Sequence, residues 1–197
     1  MEKLKKQIEF LKEIDKLKEI FRQSLLADNS RHENDAEHSW HLAMFCIILG
    51  EYAPDGTDIL KCIKLVLIHD LVEIYAGDTY LYDEKGNADK ADREKAAADK
   101  LFSILPSHQE KEIYSLWNEF EERKTEESIF ANMLDRLQPI MLNYLTEGKM
   151  WIKNGVKKSQ VLEKAMNMGF SQGNEKLQKY LLSLLDECVE KGYLING

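Results

Sequence analysis

Two stretches of this chain are too apolar to lie on a surface. Leu42 to Leu49 carries no polar residue, and Ile63 to Ile68 is interrupted only by Lys64. A helix that is apolar on every face belongs inside a domain, so the rest of the chain must wrap these two segments. Both carry helix boundaries. Asn34 and Glu37 form the N-x-x-E pattern of a capping box, which predicts a helix from there to about Tyr52, broken by Pro54, Asp55 and Gly56. Thr57 or Asp58 can cap the second, which should end near Ala76-Gly77 with the glycine in a left-handed C-cap.

The remaining sequence also repeats at helical spacing. Leu4, Ile8, Leu11, Ile14, Leu17, Ile20 and Phe21 predict one long amphipathic helix from Glu2 to Leu26, followed by a polar turn over Ala27 to Glu33. Asp78 to Asn87 reads as a loop. Further helices are predicted from about Ala88 to Ile104, His108 to Arg123, Glu126 to Glu147, Lys158 to Met168 and Asn174 to Lys191, with Pro139 kinking or splitting the third of these. Nowhere do β-branched residues alternate for long enough to predict a sheet. The expected fold is all-α, one bundle over residues 1–197, because no linker or repeat divides the chain.

The formal net charge of -8 argues against a partner held by its nucleic acid backbone, which needs a basic surface. It leaves room for a small phosphate ester, since one or two arginines and a metal ion can create a local positive site. No apolar run is long enough to cross a bilayer, and the charged amphipathic start does not read as a signal peptide, so a cytoplasmic location is the expectation. Cys46, Cys62 and Cys188 are odd in number and widely spaced, which predicts buried, reduced thiols.

Chemistry concentrates at the end of the second core helix. His69 and Asp70 follow its apolar stretch, and Glu73 lies one helical turn further, so the three can share a face. Such groups are costly to bury unless paired or metal-bound, although a solvated helix end would fit this segment equally well. His38, in the first turn of the preceding helix, supplies a second imidazole. Asp135 stands beside the apolar face formed by Phe130, Met133, Leu134 and Leu137. Two His and two Asp make a mixed nitrogen and oxygen set that suits a borderline divalent metal. His41 reads as a packed or hydrogen-bonded side chain, His32 and His108 as solvent-exposed, Arg31, Arg93 and Arg136 as surface ion pairs, and Trp40 and Trp117 as packing residues.

Three strings carry a resemblance. Glu37-His38-Ser39-Trp40, then His69-Asp70-Leu71-Val72-Glu73-Ile74-Tyr75-Ala76-Gly77-Asp78, then Leu134-Asp135-Arg136-Leu137 resemble, in order, the motifs of the HD-domain metal-dependent phosphohydrolases, and more narrowly the branch of the bacterial 5′-deoxynucleotidases. The resemblance spans roughly residues 17 to 140. It implies an HD-type helical bundle in which His38, His69, Asp70 and Asp135 hold one divalent metal ion (Mn, Co, Zn, Ni, Fe or Mg). It implies that Glu73 takes part in proton transfer and that Asp78 and the loop just after it, from Thr79, contact the substrate.

Leu17-Lys18-x-Ile20-x-Arg22 resembles the family's early motif, whose arginine meets the phosphate; Gln23 stands where the deoxynucleotidases often have tryptophan. The implied activity is hydrolysis of a phosphomonoester, above all a (deoxy)nucleoside 5′-monophosphate. Alternatives are action on nucleoside triphosphates, cyclic nucleotides or alarmones, as in other HD branches, or a non-enzymatic metal-binding helical dimer. Relatives of this kind are usually dimeric, and the last helix carries an apolar stripe of Leu177, Leu181, Leu184, Leu185 and Cys188, so a homodimer is expected.

Overall fold

The two apolar segments both reach the centre, but each by one face only. Ile47 and Ile48 are 55% and 65% exposed and Leu67 44%, so the burial on every side expected from their composition does not occur. In the computed structural model, which describes residues 1–197, α2 (Asp35–Leu49) and α3 (Ile59–Ile68) pack on one another, and α7 (Glu126–Leu145) packs on both. Leu42, Cys46, Leu65, Val66 and Leu134 are buried between them; a fully buried leucine contributes on the order of 1.5–3 kcal/mol. The capping box at Asn34 forms as predicted, with its Oδ1 accepting from the Glu37 amide at 2.9 Å and a Glu37 carboxylate oxygen accepting from the Asn34 amide at 3.3 Å. Asp58 caps α3 by accepting from the Lys61 amide at 3.1 Å.

Around this centre lie α1 (Glu2–Ile14), α4 (Glu73–Ala76), α5 (Lys90–Phe102), α6 (Ser107–Glu122), α8 (Lys149–Lys153), α9 (Lys158–Asn167) and α10 (Glu175–Glu190). α7 and α10 join the main core, whereas Phe10, Leu17, Ala98, Phe102 and Trp117 form a second apolar cluster. The chain crosses between the two at His69–Val72, where α3 tightens into a 3-10 turn. Leu65 and Val66 belong to the first cluster, and Ile68, Leu71 and Val72 to the second. His69 and Asp70 therefore emerge at the seam, buried but facing polar neighbours. Gly77 ends this segment with φ 76° and ψ 148°, outside the left-handed helical region expected for it and open only to glycine.

The all-α expectation holds for the bundle, with one exception. The predicted helix from Glu2 to Leu26 stops at Ile14, continues as a 3-10 turn over Asp15–Glu19, and gives way to a strand, β1 (Phe21–Leu25). β1 pairs antiparallel with β2 (His32–Asn34), Phe21 opposite Asn34 and Leu25 opposite His32, with a bulge between. The apolar period that extended the helix ended on a residue with no core to face, because Phe21 is 53% exposed. What fixes the segment is tertiary: β1 packs on α7 and carries Arg22 inward to Asp35 and Asp70.

Two smaller expectations also change. Pro139 does not split α7, which runs through it to Leu145, and a further short helix, α8, follows that the sequence pattern did not predict. The apolar stripe of α10 lies inside the chain's own core rather than on its surface. No helix is long and apolar enough to cross a membrane. All three cysteines are buried and free, as their spacing predicted.

Candidate metal centre

His38 and His69 reach the same point from α2 and from the 3-10 turn, and each is held by its other ring nitrogen. His69 Nδ1 lies 2.9 Å from the carbonyl oxygen of Val66, which can only accept, so Nδ1 donates there and Nε2 is the nitrogen turned to the cleft. His38 Nδ1 lies 3.0 Å from Gln138 Oε1; the amide is oriented by its own Nε2, which donates to Glu33 at 2.7 Å. Burial pushes His38 down to about 4, so its ring is neutral and its Nε2 keeps a lone pair.

That lone pair faces a carboxylate oxygen of Asp135 at 2.9 Å, and His69 Nε2 lies 3.0 Å from Asp70 Oδ1 and 3.6 Å from Asp135 Oδ1. Asp70 Oδ2 is 3.9 Å from His38 Nε2. His69 Nε2 is buried with no hydrogen-bond partner. His38, His69 and Asp135 thus bring one donor atom each within 4.8 Å of one another, from α2, from the end of α3 and from α7, with Asp70 beside them. A cation is what such a set accommodates, and the partners behind each imidazole are those that fix metal-ligating tautomers. Against the burial that works in the other direction, Asp70 and Asp135 raise His69 to about 10, so the site attracts positive charge to that nitrogen.

Residues 14–178 match the family model described as HD domain. The chain belongs to the HD-domain family. Among its relatives, the human protein named 5′-deoxynucleotidase HDDC2 is 28% identical over 135 residues, covering 68% of this chain and 65% of the human protein. The protein of the same name from Dictyostelium discoideum is 31% identical over 143 residues, 70% of this chain and 75% of that one. The chain therefore spans just under two thirds of the human relative's length. A crystal structure of a predicted metal-dependent phosphohydrolase from Magnetospirillum magnetotacticum MS-1 superposes with a TM-score of 0.91 at 46% identity, covering 98% of this chain and 96% of that one.

In this HD domain a second acidic group adjoins the first. Asp35, Glu73 and Asp78 bring carboxylate oxygens within 4.8 Å of one another. Arg22 spans the two groups: its Nη1 donates to Asp70 Oδ2 at 2.7 Å and to Asp35 Oδ1 at 3.2 Å. His69 and Arg22 hold Asp70 well below the usual carboxylate range although burial opposes them, and Arg136 with the two histidines does the same for Asp135. Glu73 shifts the opposite way. Burial, then the charges of Asp70 and Asp35, raise it well above its ordinary value, and its Oε2 has no partner.

Every site residue read from the sequence comes to one place. Arg22, His69, Asp70, Glu73, Asp78, Thr79 and Asp135 line a single cleft of about 150 Å³, with His38 buried directly behind it. Asp35, Glu33 and Gln138 were not anticipated. Spacing held the signal, since Asp35 lies three residues before His38 and Gln138 three after Asp135, one helical turn in each case.

Other expectations need correction. Arg93 makes an ion pair with Asp89, but it also donates to the carbonyls of Ala76 and Gly86 at 2.7 and 2.8 Å and to Thr79 Oγ1 at 3.1 Å, and so clamps the loop after Gly77. Arg136 turns back on Asp135 inside the cleft instead of pairing at the surface. His32 is half-buried in β2. Trp117 is packed as predicted, whereas Trp40 is 64% exposed on the outer face of α2.

Proposed function

We propose that the chain works as one HD-type domain and hydrolyses phosphomonoesters with a divalent metal, releasing phosphate from nucleoside 5′-monophosphates and from deoxy ones above all. The observation that carries this reading is that Nε2 of His38 and of His69 meet a carboxylate oxygen of Asp135 at one point, with Asp70 and Arg22 beside it in the cleft. The names of the relatives support the substrate class. His38, His69, Asp70 and Asp135 would hold one ion, and their mixed donor set suits Mn, Co, Zn, Ni, Fe or Mg.

A divalent ion in that set supplies Lewis acidity to a phosphoryl group and lowers the pKa of water towards neutrality. The chain's own residues do the rest. Arg22 uses Nη1 on Asp35 and Asp70, and its Nε is buried without a partner, so the guanidinium keeps donors for phosphate oxygens. Glu73, one turn beyond Asp70 and shifted towards its protonated form by burial, delivers a proton to the departing sugar oxygen. Asp78 and Thr79, on the clamped loop, border the sugar.

A phosphate-release screen over ribo- and deoxynucleoside monophosphates, with each divalent ion added in turn, tests the reading. Release from deoxynucleoside monophosphates that is abolished by a chelator is expected. No release with any ion would reject it. We also propose a homodimer. The stripe on α10 is spent within the chain, but Trp40, Met44, Ile47 and Ile48 of α2 and Tyr180 of α10 leave an exposed apolar face that a second copy can cover.

A further inference from the structure

The cleft extends well past the His/Asp cluster, and its remote wall is different in kind. Asn143 lies eight residues after Asp135 on α7, about 12 Å along the helix axis at 1.5 Å per residue. Pro139 and Ile140 line the cleft between them, and Tyr80, Tyr82 and Trp151 border it with Asn143. Tyr80 and Tyr82 meet edge to face, ring centroids 5.3 Å apart. A span of that length with aromatic walls matches a nucleotide bound with its phosphate at Arg22 and its base at the far end.

One polar atom of this wall is unused. Asn143 is only 8% exposed. Its Nδ2 donates to the carbonyl of Pro139 at 2.9 Å, which fixes the amide so that Oδ1 is the free end. Asn143 Oδ1 is buried with no hydrogen-bond partner, and so is the hydroxyl of Tyr80. A buried carbonyl without a donor is unfavourable, and a ligand that brings an N–H to it removes that penalty.

We propose that Asn143 reads the edge of the substrate's base through Oδ1, and that the enzyme favours bases presenting an amino group there, cytosine or adenine, over those with a carbonyl in its place. Cytosine and uracil differ at that edge by one such exchange, amino donor for oxygen acceptor, and an acceptor set against Oδ1 is repelled. The inference rests on the nucleotide reading above and gives it a base preference.

The test compares dCMP, dUMP and 2-deoxyribose 5-phosphate on the wild type, and dCMP and dUMP on Asn143→Leu and Asn143→Ala, by phosphate release and by calorimetric titration. Circular dichroism checks that both variants are folded. The wild type is expected to prefer dCMP to dUMP by about tenfold or more in kcat/KM and in affinity, as one hydrogen bond made or opposed predicts. The ratio should fall towards one in both variants, through loss on dCMP. A wild-type ratio near one, or a preference that survives both substitutions, overturns the subsite. Turnover of all three compounds without base preference leaves the phosphatase reading standing and removes this one. If none is turned over, that reading fails, and titration judges the subsite alone: equal affinity for dCMP and dUMP, or no binding of either, rejects it.

Discussion

Glu73 and Asp135 are both buried carboxyl groups in one cleft, and their surroundings push them apart. Asp135 is held ionised by Arg136 and two imidazoles, while Glu73 is kept from ionising by burial and by its acidic neighbours. Such opposed shifts suit the roles proposed above, a ligand on one side and a proton carrier on the other. Glu73→Gln is therefore expected to keep its metal content and to lose turnover by about 10²–10⁴-fold. Asp135→Ala should instead lose metal, with activity partly restored at high metal concentration. Elemental analysis and kinetics on the two variants distinguish these outcomes, and wild-type turnover in Glu73→Gln would reject the proton-transfer role. Gln138 acts one step back, orienting His38 through Nδ1. Gln138→Leu leaves that proton without an acceptor and should weaken metal affinity by about 10–100-fold with little change in helical content.

At the scale of the element, α7 has the most to hold: it carries Asp135, Arg136, Gln138 and Asn143. Its start is secured by a reciprocal cap, with Thr125 Oγ1 accepting from the Ser128 amide at 3.2 Å and Ser128 Oγ accepting from the Thr125 amide at 3.1 Å. Thr125→Ala should cost about 1 kcal/mol, seen as a melting temperature lower by roughly 2–4 °C for a chain of this size. Because Asp135 lies ten residues from the cap, metal content should not change. The strand β1 shows where local pattern stopped being informative. Its apolar spacing continues that of α1, yet the buried ion pairs of Arg22 with Asp35 and Asp70 demand an extended chain at that point. A charged side chain is buried only where it finds a partner, and both partners are distant in sequence.

Taken as a whole, the molecule leaves the apolar outer face of α2 uncovered and keeps its thiols out of reach. Light scattering at micromolar concentration should report a dimer, and a Trp40→Asp, Ile48→Asp double variant should shift it to monomer; a monomeric wild type rejects the proposed assembly. Burial pushes Cys46 and Cys62 up to about 12 and Cys188 to about 11. At pH 8 the native chain should therefore leave a thiol reagent unconsumed, and denaturant should release three reactive thiols. The central helices and the caps at Asn34 and Asp58 were legible in the sequence because each depends on neighbours within a turn or two: the apolar runs of α2 and α3, and Asn34 with Glu37. That His38, His69, Asp70 and Asp135 belong together was readable only through the motif strings, since spacing alone left His69, Asp70 and Glu73 open to a solvated helix end. The hairpin that carries Arg22, the partners of the imidazoles at Gln138 and Val66, the burial of the α10 stripe and the free carbonyl of Asn143 were not legible. Each of these depends on which surfaces meet, and burial, which sets the cost of an unpaired polar group, exists only once the helices have packed.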